Sequence, residues 1–558
     1  MQHVFRNWAG KVVGSAFTKV RRCQARIGQH PHSHTEGHYT CATATANHCS
    51  LTKALTLLES INRRRTGLGR LSLLLLWLVV GLSWALASPT GSAPDDDFHL
   101  GSIWCAWGRD ASGCSLGPKE GGRAPASVPA LERAYSTCVA LKSESSAACQ
   151  FSADTPPTTV SSNVGGYPPG FYATLRVLAS DNASVSVISM RMLVWTVCTA
   201  LILAAVYLLG NLGGSRVLLA ALAGLVPLGT FLFASTNPSS VLVAAIPATA
   251  IAVSRRETLS TRPGKVALTL AVLAALAAVM SRPDAPLLLA VALIGGMLMR
   301  GRPWLHPRSA LVAPIAVSLI VILGLLLDQS QSSALTSGLS PGSGTAAPSV
   351  ASILRELPSY VVGPWATTLG YVDVPMPPLV WAAAAVNIIV VVFLGFAAWS
   401  VNKGLAIGAV LISQTLGLVY LQHQTACCTL QARYFLPLTM VWLLFASMVP
   451  AGTRPWPMNA PQASMLWLSF SIANSFAMHQ VLSRYTVGLN TAGHDLSLND
   501  PQWWWDMPIP PVGVWLIGSV AFSVLVAALL RRVIGSSDGS WSANSPGTQP
   551  AITQSVSD

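Results

Sequence analysis

Apolar residues fill the middle of this chain in blocks instead of stripes. Between residues 71 and 530, long apolar runs alternate with short polar joints. A helix needs about 20 mostly apolar residues to cross a bilayer. Backbone polar groups in lipid must also be satisfied within the segment, which a helix achieves. The pattern predicts about twelve spans, near 71–88, 188–209, 215–234, 240–253, 266–280, 285–299, 309–327, 379–399, 404–421, 434–450, 462–481 and 512–530. The fourth to sixth are short and are open to merging, tilting or re-entry. The expected fold class is all-α: a polytopic transmembrane helix bundle with loops on the outer side.

Composition agrees with the blocks. The 558 residues are 52% hydrophobic and 10% charged, against roughly 25% charged in a soluble domain. The formal charge of +13 has a topological explanation. Arg63, Arg64, Arg65 and Arg70 precede the first run, so the positive-inside rule puts the N-terminus in the cytoplasm. Alternating sides then leaves Arg255, Arg256, Lys265, Arg300, Arg302, Arg308, Lys403, Arg454, Arg531 and Arg532 inside. The expectation is a multi-pass cell-membrane protein with both termini cytoplasmic. No nucleic-acid motif accompanies the basic residues, and no nucleic-acid partner is expected.

The organisation follows. Residues 1–70 read as a basic, disordered cytoplasmic tail. Its His30, His32, His34, His38, His48, Cys41 and Cys49 fit no compact four-ligand zinc spacing. Residues 71–530 form the membrane domain, with outer loops at 89–187, 328–378 and 483–511, and 531–558 form a disordered cytoplasmic tail rich in Ser, Gly and Pro. The first outer loop holds Cys105, Cys114, Cys138 and Cys149, an even set suited to two disulfides in an oxidising compartment. Their pairing is not readable. The segment 350–357 reads as a surface helix on the bilayer.

Candidate chemistry gathers on the outer side. Pro94-Asp95-Asp96-Asp97-Phe98-His99 follows the first run. Three adjacent carboxylates repel one another and cost desolvation if buried. They suit a general base with a helper, or a divalent-metal site of Asp95, Asp96 and Asp97 for Mg or Mn; a solvated acidic turn is the plain alternative. His99 lies one helical turn on, within reach of Asp95 or Asp96. Tyr167-Pro168-Pro169 reads as a rigid turn with an aromatic anchor. Ser235 to Ser240 are either a helix cap or hydroxyls lining a cavity. Arg282 and Asp284 join two spans and can simply pair.

Gln431-Ala432-Arg433-Tyr434-Phe435-Leu436-Pro437 opens the tenth span from outside. Arg433 suits a phosphate or diphosphate headgroup, or snorkels at the interface. Arg484-Tyr485 leads to Trp503-Trp504-Trp505, an aromatic belt or a sugar-stacking platform.

Taken in order, Pro94-Asp95-Asp96 with His99, Tyr167-Pro168-Pro169, Ser281-Arg282-Pro283-Asp284, Gly370-Tyr371-Val372-Asp373, Gln431 to Pro437 and Arg484-Tyr485 resemble the actinobacterial membrane proteins of the domain-of-unknown-function 2142 family. The resemblance covers roughly residues 70–530. That family is remotely similar to the GT-C class of integral-membrane glycosyltransferases, which use polyprenyl-phosphate sugars as donors. The resemblance implies a GT-C-like bundle acting on a lipid-linked sugar donor and a glycan acceptor in cell-envelope synthesis. It makes Asp95 or Asp96 the candidate base and Arg433 a candidate contact for the lipid phosphate; with the reading of the residues themselves, the catalytic candidates are Asp95, Asp96 and His99, and the substrate candidates Arg433, Tyr434, Arg282, Asp284, Arg484 and Tyr485. The third acid, Asp97, stands where an uncharged residue is more usual, which leaves the choice of base open. Two other classes compete: a transporter or flippase of lipid-linked sugars, and a non-catalytic envelope-assembly subunit. The Gly- and Pro-containing run at 221–238 is the best feature for the transporter.

Overall fold

Each of the twelve apolar segments is helical. The computed structural model describes residues 71–108, 113–118, 124–132, 138–139, 142–151, 160–162, 166–301, 308–327, 349–355, 368–425, 431–450, 458–489 and 502–538, with a few isolated positions besides. The histidine-rich tail, the 328–348 linker, Cys427-Cys428 and the last twenty residues, 539–558, lie outside the described residues. In chain order the helices are α1 (Leu71–Leu86), α2 (Asp96–Trp104), α3 (Pro169–Arg176), α4 (Ala183–Leu208), α5 (Gly210–Leu225), α6 (Leu228–Phe233), α7 (Ser239–Ser254) and α8 (Arg262–Val279). They continue as α9 (Ala285–Arg300), α10 (Val312–Leu327), α11 (Pro378–Phe396), α12 (Val401–Thr425), α13 (Leu436–Ser447), α14 (Ala460–Thr486) and α15 (Pro511–Asp538).

Among the described residues, six helices are long and apolar enough to cross a membrane, and five apolar helices, α1, α5, α7, α9 and α13, are shorter. The short ones have a packing reason. Every residue of α7 and of α13 is buried. A helix that is apolar all round belongs inside a bundle, and one ringed by protein is released from matching the lipid. Helix α7 packs against α4, α8, α9 and α13. Its Ala244, Ala245, Ala248 and Ala250 are small enough for close approach. Gly296 of α9 meets it, since a Cβ there would stand 2.8 Å from the Ala250 carbonyl oxygen. By contrast α10, α12 and α15 present Leu326, Ile412 and Val520 outward, each more than 60% exposed.

Two expectations are adjusted. The run at 215–234 is not one helix. Helix α5 ends at Leu225, and α6 restarts after Pro227, which has no N–H to continue the ladder. Helix α14 is 27 residues long but carries buried Ser469, Asn474, His479, Ser483 and Arg484, so it is less apolar than its neighbours.

Between α1 and α4 the chain builds a small cap. A three-stranded antiparallel sheet, β1 (Ser115–Leu116), β2 (Ala124–Ser127) and β3 (Val160–Ser162), pairs Ser115 with Ser127 and Ala124 with Ser162. Cys105 is bonded to Cys114, and Cys138 to Cys149. Strand β3 lies on α2 so closely that a Cβ at Gly101 would stand 2.2 Å from the Ser161 carbonyl oxygen. Only glycine fits there.

The joints of the bundle converge at one end. Trp505 Nε1 donates to Leu86 O, Phe171 N to Met280 O, Tyr485 Oη to Ser92 O, and Arg282 Nη1 to Ser239 Oγ. These contacts tie together the ends of α1, α7, α8 and α14 and the entries to α9 and α15.

Candidate active site

The acidic turn sits at this convergence, and its neighbours hold it in shape. Asp95 has φ 63° and ψ 17°, a left-handed conformation that aspartate tolerates better than most residues. Asp96 secures the turn. It is fully buried, its Oδ2 accepts from Ala93 N at 3.0 Å, and its Oδ1 accepts from Thr236 Oγ1 at 2.8 Å. Asn237 Nδ2 donates to Pro94 O at 2.7 Å. Behind them Arg191, with no exposed surface, donates to Ala85 O, Ser88 O and Pro89 O, each at 2.7 Å. Those carbonyls include the orphan acceptors at the end of α1.

With Asp96 committed inward, Asp95 is the carboxylate presented. Its side chain is 37% exposed and pairs with Arg433 Nη2. Arg433 lies on a single turn, Ala432–Tyr434, just before α13, and is 3% exposed. Nη2 also contacts the Tyr434 hydroxyl at 3.2 Å. Its Nε and Nη1 are buried with no hydrogen-bond partner. Unpaired buried donors of a charged group are costly, and an anion is a group that could satisfy them.

Around the pair stand more aromatic and charged groups. Tyr434 has Arg433 5.1 Å and Arg282 5.2 Å from its ring centre. Each nitrogen of Arg282 has a partner: Nε and Nη2 donate to the Asp284 carboxylate at 2.8 and 3.2 Å, and Nη1 to Ser239 Oγ at 2.8 Å. Tyr167 lies within electrostatic reach of Arg282, Tyr434, Asp284 and Asp95. Burial raises its phenol pKa, with Arg282 opposing. Burial raises the Tyr172 phenol further, and Tyr172 Oη shares a 2.8 Å hydrogen bond with His99 Nδ1. His99 is buried, and Tyr167 meets its ring edge-on at 5.8 Å. Its side chain therefore turns to the tyrosines, while its backbone N–H caps onto Asp95 O.

The structure thus brings Asp95, Arg433, Tyr434, Arg282, Asp284, Tyr167 and, behind them, His99 and Tyr172 together. Arg484 and Tyr485 stand in a different set of contacts. Arg484 is fully buried, and it is filled by Asp373 Oδ2 at 2.7 Å and by the carbonyls of Val139, Lys142 and Ser145. Tyr485 Oη accepts from Tyr371 N and donates to Ser92 O. These two residues lock α14 to the cap, and every nitrogen of the Arg484 guanidinium already has a partner. Asp95 and Asp96 face different partners, the Asp97 side chain is not described, and among the described residues no three His, Cys, Asp or Glu side chains lie together. Trp504 and Trp505 are buried against Tyr485 and α1, so they form packing and not an open platform.

Sequence reasoning missed Arg191, and it read Tyr172 only as part of the Tyr167–Tyr172 turn and not as the partner of His99. A lone arginine inside the apolar run 188–209 was the available signal for Arg191. Intramembrane charges persist where they are paired or needed. Thr236 and Asn237 turn out to tether the acidic turn.

Residues 78–442 match the model of a family described as "Predicted membrane protein (DUF2142)". The matched span includes every residue of the Asp95–Arg433 cluster. Among solved structures, the fold is similar to ArnT from Cupriavidus metallidurans bound to undecaprenyl phosphate, at 13% identity and a TM-score of 0.40, over 84% of this chain and 77% of that one. No curated protein matches the chain. The family model spans well over half of the sequence, and the chain belongs to that family.

Proposed function

We propose that this DUF2142 membrane protein is a GT-C-like glycosyltransferase. In this reading it moves a sugar from a polyprenyl-phosphate donor to a glycan hydroxyl at the outer face of the cell membrane. The observation that carries it is the Asp95–Arg433 pair: a part-open carboxylate beside a buried guanidinium with two unpaired nitrogens. The basic ends Arg255, Arg256, Arg300 and Lys403 lie at the opposite end of the bundle, which supports an outward Asp95.

The pair works as an exchange. The lipid phosphate takes the free donors of Arg433 and competes for Nη2, which releases Asp95. Asp95 then accepts the proton of the acceptor hydroxyl as its oxygen bonds to the anomeric carbon. The carbon–oxygen bond to phosphate breaks with its electron pair, and Arg433 stabilises the growing charge. The Tyr434 ring packs against the Arg433 guanidinium from the side, with Arg282 also against that ring. Asp96 holds Asp95 in place. The neutral Tyr172, buried, and Tyr167, partly buried, supply hydroxyls without adding charge.

The test is transfer by purified protein from a radiolabelled polyprenyl-phosphate sugar to an envelope glycan, with translocation across proteoliposomes followed in parallel. Transfer supports the reading. Translocation of the lipid-linked sugar without transfer replaces it with the flippase reading.

A further inference from the structure

A second buried arginine repeats the signature of Arg433 at the far end of the bundle. Helix α7 runs from Ser239, bonded to Arg282 beside the acidic turn, to Ser254. Sixteen residues at ~1.5 Å per residue put Arg255 about 24 Å away. Helix α9 runs the same distance from Asp284 to Arg300. There Arg300 is 1% exposed, and its Nη2 donates to Ala310 O at 2.6 Å. Its Nε and Nη1 are buried and have no hydrogen-bond partner.

The surroundings of Arg300 add positive charge and polar donors. Arg256 and Glu257 are close enough to act on its charge. Glu257 is already taken by Arg255, which donates to both of its oxygens. Gly301, at φ 85°, faces Asn402 and Arg256: a Cβ there would stand 2.6 Å from Asn402 Nδ2 and 3.4 Å from Arg256 Nη2. Lys403 does not contribute, because its Nζ is used by Gly395 O, Ala398 O and Met448 O. Arg256 is exposed and Arg300 buried beneath it, the arrangement of an anion site with a mouth and a floor.

We infer that Arg300, Arg256 and Asn402 form a second anion site, which binds a phosphate group at the end of the bundle opposite Asp95. A phosphate accepts from Arg256 and Asn402 at the surface and from the unpaired nitrogens of Arg300 below. The chemistry is shared by an anionic phospholipid headgroup and a soluble phosphate. Basic pockets between helices on the cytoplasmic side suit such headgroups. The inference does not rest on the glycosyltransferase reading, because no residue is shared.

The test uses the full-length protein in nanodiscs of neutral phosphatidylcholine. Thermal melting is followed against rising phosphatidylglycerol, and separately against inorganic phosphate. A ligand that binds only the folded state raises the midpoint as its concentration passes Kd. The wild type responds to at least one of them. A response to the lipid alone identifies a headgroup, and a response to inorganic phosphate identifies a soluble ligand. Arg256→Ala, at an exposed position, moves half-saturation by about tenfold or more, as expected for a lost charged hydrogen bond. Arg300→Gln abolishes the response, and if it fails to fold Arg256→Ala carries the test alone. Lys265→Ala removes the same charge from an exposed position elsewhere on this end and leaves the response unchanged. A wild type indifferent to both anions overturns the inference. So does a Lys265→Ala protein weakened as much as Arg256→Ala.

Discussion

Asp95 and Arg433 are 338 positions apart in the chain and share one ion pair. Neither helix that carries them determines the contact. It exists because the joint after α1 and the turn before α13 are drawn to the same end of the bundle. In the exchange proposed above, each residue is idle until the lipid phosphate arrives.

Removing either half should separate the two roles. Asp95→Asn keeps shape and removes basicity, so transfer falls by roughly 10²–10⁴-fold with the fold intact. Arg433→Lys keeps charge and loses the planar donor set, so the donor KM rises as well as kcat falling. Steady-state transfer with melting curves beside it measures both. Full activity in Asp95→Asn would reduce the acid cluster to a structural turn.

Thr236→Val tests the tether. The swap is close in shape and leaves Asp96 Oδ1 without its 2.8 Å donor in a fully buried place. A stranded buried acceptor costs about 1–3 kcal/mol. Chemical denaturation should show that loss, and an unchanged midpoint would mean Asp96 finds another partner.

Asp373→Asn addresses the second ion pair. Breaking a buried pair costs about 3–5 kcal/mol when one charge is left bare, and Arg484 keeps three carbonyls, so the loss should fall below that range. The donor KM of the folded fraction should stay at the wild-type value. A raised KM would return Arg484 to the substrate site.

The same three carbonyls, of Val139, Lys142 and Ser145, lie inside the loop closed by Cys138 and Cys149. Non-reducing peptide mapping should recover Cys105 with Cys114 and Cys138 with Cys149. Replacing Cys138 and Cys149 by Ser should destabilise, typically by ~2–4 kcal/mol for a lost disulfide. Combined with Asp373→Asn, the effect should be less than additive, because both act on Arg484.

Desolvated phenols give a pH signature. Burial raises the pKa of Tyr167 and Tyr172 above the ordinary 10.0. Their unfolded forms therefore lose protons first as pH rises. Stability is complete below pH 10.0 and falls as pH climbs above it towards the folded values. Ultraviolet titration should show late-ionising tyrosines, and Tyr172→Phe should remove one. A single transition near the ordinary value for every tyrosine would contradict the buried site.

The helices were legible because lipid imposes one rule on every spanning segment. The acidic turn and Arg433 were visible too, as charges where charge is scarce. What composition hid was commitment. Arg433 and Arg484 look alike in sequence, each beside a tyrosine at a helix end. Only their partners separate them: every nitrogen of one guanidinium is bonded to a carbonyl or to Asp373, and the other keeps two nitrogens without a partner. Asp95 and Asp96 differ in the same way, through a threonine 140 positions from Asp96. The break at Pro227 was readable from proline chemistry, although an apolar run masked it.

Helices α7 and α13 touch protein on all sides, and one leads from the tether of the acidic turn while the other follows directly on Arg433. A change in bilayer thickness works on the helices that meet lipid, by tilting or thinning. The two that frame the Asp95–Arg433 pair receive it only through their neighbours. Arg433 is thereby shielded from the composition of the membrane, whereas Asp95 follows α1, whose Leu71 and Leu75 face outward, so a change in thickness should reach the pair from the Asp95 side.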